Sequence, residues 1–437
     1  CARSSLGPPP VSSDQASPRS LPRGAALAFG ALAAIGVVGF LAALATDSDR
    51  AYRVFLHNWL LWAALSQGAI VLSCAFRLTN ARWQGPVQRL VESFGAYEPV
   101  SMVLFAVIYL GRHHLFEWTH HAVHGKEWWF TEGFTFTRDV LVLIWVTFVS
   151  LLYLYISLRP ALGAAREQAT GLRGSLYARW TAGWRGEEAE REFADRRGRK
   201  MAAVVVLSYA FGYSLIAIDM IMSLAPHWVS TMFPAYYAWG GFLSAVSLTA
   251  LVSVLMRNSR DLSGHITTSR RHDMGKMVFA FSIFWMYLFW SQYLVIWYGN
   301  IPEETGFISA RLGSQFLQDT WFMTGFWERV SEPYAQLTLA TWILLWVVPF
   351  WVLLGQKPKK TPAILGAVTA GSVLGFWLER YILVTPSLVS PEAVLAGAPV
   401  TPFGWVEITV GLGFVGIFFL CFLTFARVFP GAIPAGD

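Results

Sequence analysis

Charge is what this sequence has least of. Only 14% of its 437 residues are Asp, Glu, Lys or Arg, about half the roughly 25% of a soluble globular chain, so a fully solvated surface is excluded. Cysteine is nearly absent too. Cys1, Cys74 and Cys421 are the three present. None stands in C-x-x-C spacing, and no C-x-x-C-H offers covalent attachment to haem. Cys74 and Cys421 sit in apolar runs, where a small buried hydrophobe is the expected role. The sequence has no G-x-x-x-x-G-K-[ST] phosphate loop and no nucleic-acid module beside its basic loops. Nucleotide-driven and nucleic-acid-binding functions are therefore not expected.

What fills the space is hydrophobic. Apolar residues make up 55% of the chain and aromatics 16%, with 21 Trp and 32 Phe, a density that suits membrane-interface belts. A membrane span needs roughly 20 mostly apolar residues. Ten such runs occur: Ala25–Ala45, Phe55–Phe76, Val100–Leu115, Val140–Leu158, Met201–Leu224, Phe233–Met256, Met277–Tyr298, Leu337–Leu354, Pro362–Val384 and Trp405–Val428. They do not alternate as barrel strands do, so they are helices, whose backbone groups pair within the segment. The fold expected is an all-α integral membrane protein. A Pro/Ser-rich tail over 1–24 precedes the first span, which is long, lacks a convincing cleavage site and reads as an anchor. A short tail, 429–437, follows the last.

Lysine and arginine set the orientation. The N-terminal tail, the even-numbered loops with their span edges, and Arg427 hold 25 of the 33, and the odd-numbered loops hold 8. The positive-inside rule then predicts both termini in the cytoplasm. The cytoplasmic loop Arg159–Lys200 carries mixed charge ending in Arg196, Arg197, Arg199 and Lys200, as expected of a solvated surface helix followed by a basic stop beside anionic lipid. The outer loops Gly111–Arg138 and Gly299–Gln336 are aromatic and poor in lysine, and read as folded caps.

Ionisable groups at membrane depth are costly and point to function. Asp219 is the clearest, on a fifth-span stripe with Ser208, Gly212, Leu215 and Ser223. Small residues permit close helix approach, and the hydroxyls could hold water beside the carboxylate. The bland reading is that Asp219 braces the loop Pro226-His227-Trp228. Glu379 and Arg380 are adjacent in span nine. Helical neighbours point about 100° apart, so each is expected to pair with another helix. Glu407 opens span ten, where an acid also complements the helix dipole. Gln292 and Tyr293 lie near the middle of span seven, as a proton route or as packing glue. That span stops sharply at Gly299-Asn300-Ile301-Pro302, with Glu303 and Glu304 at the water boundary.

Five of the nine histidines, His113, His114, His120, His121 and His124, cluster outside. His120 and His124 would share a face if helical, but no third metal ligand is evident. Neither His57 nor any other histidine is read as deep in a span, so the paired axial ligands of a b-type haem are missing.

Two stretches carry a family resemblance. One is Asp219-Met220-Ile221-Met222-Ser223-Leu224-Ala225-Pro226-His227-Trp228, continuing to Phe233. The other is Phe289-Trp290-Ser291-Gln292-Tyr293, continuing through Trp297-Tyr298-Gly299-Asn300-Ile301-Pro302-Glu303-Glu304 to Thr305. Both resemble the F subunit (ActF) of bacterial alternative complex III, a quinol:cytochrome c or quinol:electron-acceptor oxidoreductase, and the Glu117-Trp118-Thr119-His120 stretch fits the same pattern. That family is similar to the NrfD-type membrane subunits of polysulfide reductase. The resemblance implies two four-helix bundles, spans two to five and six to nine, with outer helices one and ten. It implies a bacterial inner-membrane complex with a paralogous ten-span subunit (ActC), an iron–sulfur protein, a multihaem cytochrome c and smaller subunits, and an association with a terminal oxidase. Quinol would bind in the paralogue, and haem c and iron–sulfur clusters would belong to the partners. This chain would hold no cofactor and would conduct protons. Asp219 would be the carrier, His227 would stand near the outer exit, Gln292 and Tyr293 would line the route, and Glu303 and Glu304 would sit at its mouth. A NrfD-like subunit with its own quinol site and a secondary transporter are the alternatives. The inner halves of the spans show hydroxyls but few acids.

Overall fold

A computed structural model describes residues 23–81, 83, 85–258, 266–312, 333–389 and 403–429. The tail up to residue 22 and residues 430–437 lie outside the described residues. No strand occurs among those described, and ten helices are long and apolar enough to cross a membrane. The protein is a multi-pass membrane protein. The helices are α1 (Arg23–Thr46), α2 (Ser48–Leu78), α3 (Val87–Leu110), α4 (Glu132–Ala165), α5 (Glu187–Leu224), α6 (Phe233–Leu255), α7 (Thr268–Gly299), α8 (Tyr334–Val352), α9 (Pro362–Leu388) and α10 (Trp405–Val428).

The largest departure from the sequence reading is α3. It starts at Val87, not Val100, and ends at Leu110. A single 3-10 turn, Gly95–Tyr97, bends it just before Glu98 and Pro99. Proline is tolerated in the first turn of the new segment, where its missing N–H has no partner to lose. The added stretch carries Glu92 and Glu98, and both side chains are buried. The α5 helix likewise starts 14 residues before Met201, so the end of the presumed 159–200 loop is helix continuous with the span. The stop after α7 is as expected: Asn300 takes the left-handed conformation (φ 45°, ψ 40°) that ends a helix.

Nearly every residue of α2 from Val54 onward is buried, because α2 packs against α3, α5, α6, α9 and α10. Contacts link α2, α3, α4 and α5 in a ring, and α6, α7, α8 and α9 in another, with α2 and α6 side by side. Apart from these, α1 packs chiefly on α10. That contact is backbone to backbone: a Cβ on Gly36 would lie 2.2 Å from Gly413 Cα, and one on Gly416 would lie 2.4 Å from the Ala33 nitrogen. Small residues are what let membrane helices approach this closely. Gly413→Leu is therefore expected to push α1 off the molecule. In a Gly39→Cys/Thr409→Cys pair, the cross-link yield should fall several-fold when Gly413→Leu is added, and an unchanged yield would contradict this packing.

Hydrogen bonds tie the connections into two sets. His114 meets Asp49 at 2.7 Å, Lys126 donates to the Pro226 carbonyl at 2.5 Å, and Arg50 grips Glu407 at 2.7 and 2.9 Å. All of these join connections that follow odd-numbered helices. On the opposite face Arg270 donates to Trp83 O, Arg271 to Lys360 O and Tyr177 to Val428 O, joining the even-numbered connections and the chain end. These are called the odd face and the even face below.

Candidate functional site

Asp219 lies near the odd-face end of α5 and is completely buried. Its Oδ2 accepts two hydrogen bonds from Arg138, at 2.7 and 3.0 Å, and its Oδ1 accepts one from Trp129 Nε1 at 3.0 Å. The Arg138 guanidinium also stacks over the Trp129 ring, 3.9 Å from its centroid. Asp219 thus braces the connection from α3 to α4, not the Pro226-His227-Trp228 loop. Asp139, the residue after Arg138 on α4, is also fully buried. Neither Asp139 oxygen has an N–H or O–H donor. One guanidinium faces the Asp219 carboxylate, and the second buried carboxyl, Asp139, has no donor of its own.

The predicted stripe is only partly assembled. Ser223 is buried, but its hydroxyl donates to the Asp219 backbone carbonyl at 2.5 Å and does not reach the carboxylate. Ser208 is half-buried about three turns away and accepts from Trp145 Nε1. His227 is exposed in the connection to α6, and no hydrogen bond links it to the Asp219 cluster. Lys126, whose bond to Pro226 spans the odd face, has its pKa pushed down by burial.

Glu379 and Arg380 correct the expectation of separate partners. The long Arg380 side chain folds back on its own helix, and its guanidinium meets Glu379 Oε2 at 2.6 Å, with both residues buried. Trp285 Nε1 donates to Glu379 Oε1 at 3.2 Å, and Tyr236 also hydrogen-bonds this carboxyl. Glu407 has a structural role: it caps the α10 N-terminus through the Gly404 N–H at 2.8 Å and holds Arg50. Gln292 and Tyr293 share a cavity wall with Glu379, and Gln292 accepts from Ser230 at 3.2 Å. Glu304 is half-buried at the start of the helix Pro302–Leu312. The Glu303 side chain lies outside the described residues.

His57 is a second correction. Because α2 begins at Ser48, this histidine lies ten residues into a spanning helix and is fully enclosed by Asn58, Trp377 and Tyr381. The segment 120–124 is not helical, so His120 and His124 do not form an i, i+4 face. His120 instead contacts the His113 carbonyl at 2.8 Å.

The sequence reading missed Arg138, Asp139, Glu92 and Glu98. The last two fill the gap noted toward the even face. Glu92 Oε1 accepts from Ser157, Ser73 and Gln88 at 2.7, 3.0 and 3.1 Å, and Oε2 meets Arg89 at 2.5 Å. Tyr153 shares a 2.9 Å bond with Ser73. Nearer the middle, Gln67 and Ser150 bond each other at 2.8 and 3.2 Å. Glu98 contacts Ser66 and leaves Oε1 without a partner. From Ser157 to Ser150 along α4 is about 10 Å, and from Ser150 to Asp139 about 16 Å at 1.5 Å per residue. Acids thus stand in three layers of one helix ring: Glu92 at the even face, Glu98 in the middle, and Asp139 with Asp219 at the odd face. The signal was present in the sequence as Glu92 and Glu98, had α3 been started at the proline-flanked amphipathic turn before Val100.

The chain matches no protein-family profile and no curated protein.

Proposed function

We propose that this chain is a membrane subunit of a respiratory quinol:electron-acceptor oxidoreductase of the alternative complex III type, and that its own part is to move protons. The single observation that carries the proton role is the three-layer series Glu92, Glu98 and Asp139/Asp219 within α2–α5. A buried carboxyl is retained at membrane depth when it pairs, relays a proton or lines a route. Glu92 is fully paired, whereas Glu98 keeps one oxygen and Asp139 both oxygens without a hydrogen-bond partner. Protons would enter at the even face, assigned to the cytoplasm by its basic residues, pass Glu98 and reach the Asp139/Asp219 pair at the odd face. Between Glu98 and Asp139 no hydrogen-bond chain runs among the described residues, so water would carry that step, as it does in polar gaps of protein interiors. Glu379 forms a second acid station in the α6–α9 ring.

In this reading quinol is oxidised beside the iron–sulfur protein and the paralogous ten-span subunit, and the multihaem cytochrome c takes the electrons. The complex sits in the bacterial cytoplasmic membrane with both ends of this chain inside. Purification through a tag on this chain is expected to bring down subunits with c-type haem and iron–sulfur absorbance, together with quinol-oxidising activity. A chain that purifies alone and transports a solute in vesicles would overturn the reading.

A further inference from the structure

The even-face end of the α6–α9 ring carries more positive charge than its neighbours balance. Arg271 and Lys276 stand on the first turns of α7, and Lys359 and Lys360 on the short connection from α8 to α9. The two segments are bound together. Arg271 Nε donates to the Lys360 carbonyl at 3.2 Å, and a Cβ on Gly275 would lie 2.9 Å from Lys359 Cβ. His272 has Lys276, Lys359 and Lys360 as positive neighbours, and Arg271 has Arg257. Among the described residues one carboxylate answers these charges, that of Asp273, which pairs with Lys276 at 2.6 Å.

Lys359 is the decisive residue. It is only 6% exposed, with its stem against Gly275 and its ammonium 4.8 Å from the centroid of the Phe279 ring. That ammonium has three protons to donate, and its hydrogen bond goes to the Leu354 carbonyl at 3.3 Å. Burial, and then the Lys276 charge, push it below its ordinary pKa. Cations held this close repel one another unless an anion sits among them. Both α7 and α9 begin on this face, at Thr268 and Pro362, and add the positive ends of their dipoles.

The surroundings say which anion. Trp351 and Leu354, just before Lys359, are largely exposed, and so is Ile283, one turn past Phe279. Most of the apolar length of α7 and α8 is uncovered by the rest of the chain. A ligand that covers both features is anionic at one end and apolar along the other. Basic pockets between spanning helices take phosphate-bearing head groups in this way, whereas a soluble acidic peptide would leave the apolar surface bare.

We propose that Arg271, Lys276, Lys359 and Lys360 bind the phosphodiester headgroup of an anionic phospholipid, whose acyl chains lie along the exposed face of α7 and α8. The site is in the α6–α9 ring, separate from the acid series of α2–α5. It stands whether or not the chain belongs to an oxidoreductase complex.

The test uses the full chain, with whatever subunits accompany it, in phosphatidylcholine nanodiscs doped with a lipid that carries a photoactivatable diazirine in one acyl chain. Its headgroup is phosphatidylglycerol in one arm and phosphatidylcholine in the other, and labelled peptides are mapped by mass spectrometry. Phosphatidylglycerol should label peptides carrying Phe279–Ile283 or Trp351–Leu354 about five-fold more than phosphatidylcholine, the gain expected from even one basic residue at an anionic surface. Lys359→Gln should remove most of that excess. Lys276→Gln/Lys360→Gln, which changes exposed side chains only, should do the same and leave the phosphatidylcholine label as it was. Equal labelling by the two lipids in the parent overturns the proposal, and so does an excess that survives both variants. If inorganic phosphate abolishes the excess where chloride of equal ionic strength does not, the site takes free phosphate and the lipid assignment fails. Carbodiimide cross-links from Lys359 or Lys360 to a carboxylate of another subunit would assign the patch to an acidic protein and overturn it as well.

Discussion

Replacing Arg138 with leucine is expected to destabilise the protein by about 3–5 kcal/mol, the usual loss when one partner of a buried ion pair is removed. The effect is large because Arg138 serves three neighbours at once. It donates twice to Asp219, and it stacks over both Trp129 and Phe134 at 3.9 and 4.7 Å from their ring centroids. Without it, Asp139 and Asp219 stand side by side with no cation. The companion variant Arg138→Leu/Asp219→Asn removes the orphaned charge, and the asparagine oxygen can still accept from Trp129. Most of the lost stability should return. Thermal unfolding in detergent, followed by tryptophan fluorescence, measures both. A single variant as stable as the parent would show that the cluster is not an ion pair of consequence.

The second large effect concerns protons. Glu98→Gln keeps the size of the side chain and its contact with Ser66, and leaves a group that cannot exchange a proton with a carrier. Asp219→Asn does the same at the odd face. Removing a positioned acid–base group commonly slows proton transfer by about two orders of magnitude. Both variants should therefore fold, assemble and lose proton movement. By contrast, Glu407 and Arg50 hold the α10 N-terminus, and a change there acts on stability.

Much of the fold was legible in the sequence, because ten apolar runs leave helices as the only structure that satisfies their backbones. The boundaries were less so, and the errors have one cause. A charged or polar residue reads as loop when hydropathy is averaged, yet α3 buries Glu92 against serines of α2 and α4 and against Gln88 and Arg89 of its own helix. The serines Ser73 and Ser157 lie 19 and 65 positions away along the chain, beyond any local window. Asp219 was legible as an isolated acid in an apolar run. Its partners were not: Arg138 and Trp129 are 81 and 90 residues distant. The same limit explains Glu379 and Arg380. Backbone geometry sets them about 100° apart, but a long flexible guanidinium closes that angle. His57 was misplaced because α2 begins seven residues before the apolar run.

The central claim is that acids of this chain carry protons during electron transfer. The most direct test is the number of protons moved per quinol oxidised by the intact complex in sealed vesicles. Parent vesicles should show proton movement beyond the protons released by quinol chemistry itself. With Glu98→Gln or Asp219→Asn that excess should vanish, while electron transfer continues once an uncoupler is added. An unchanged ratio in both variants, with the proteins assembled and active, would contradict the account.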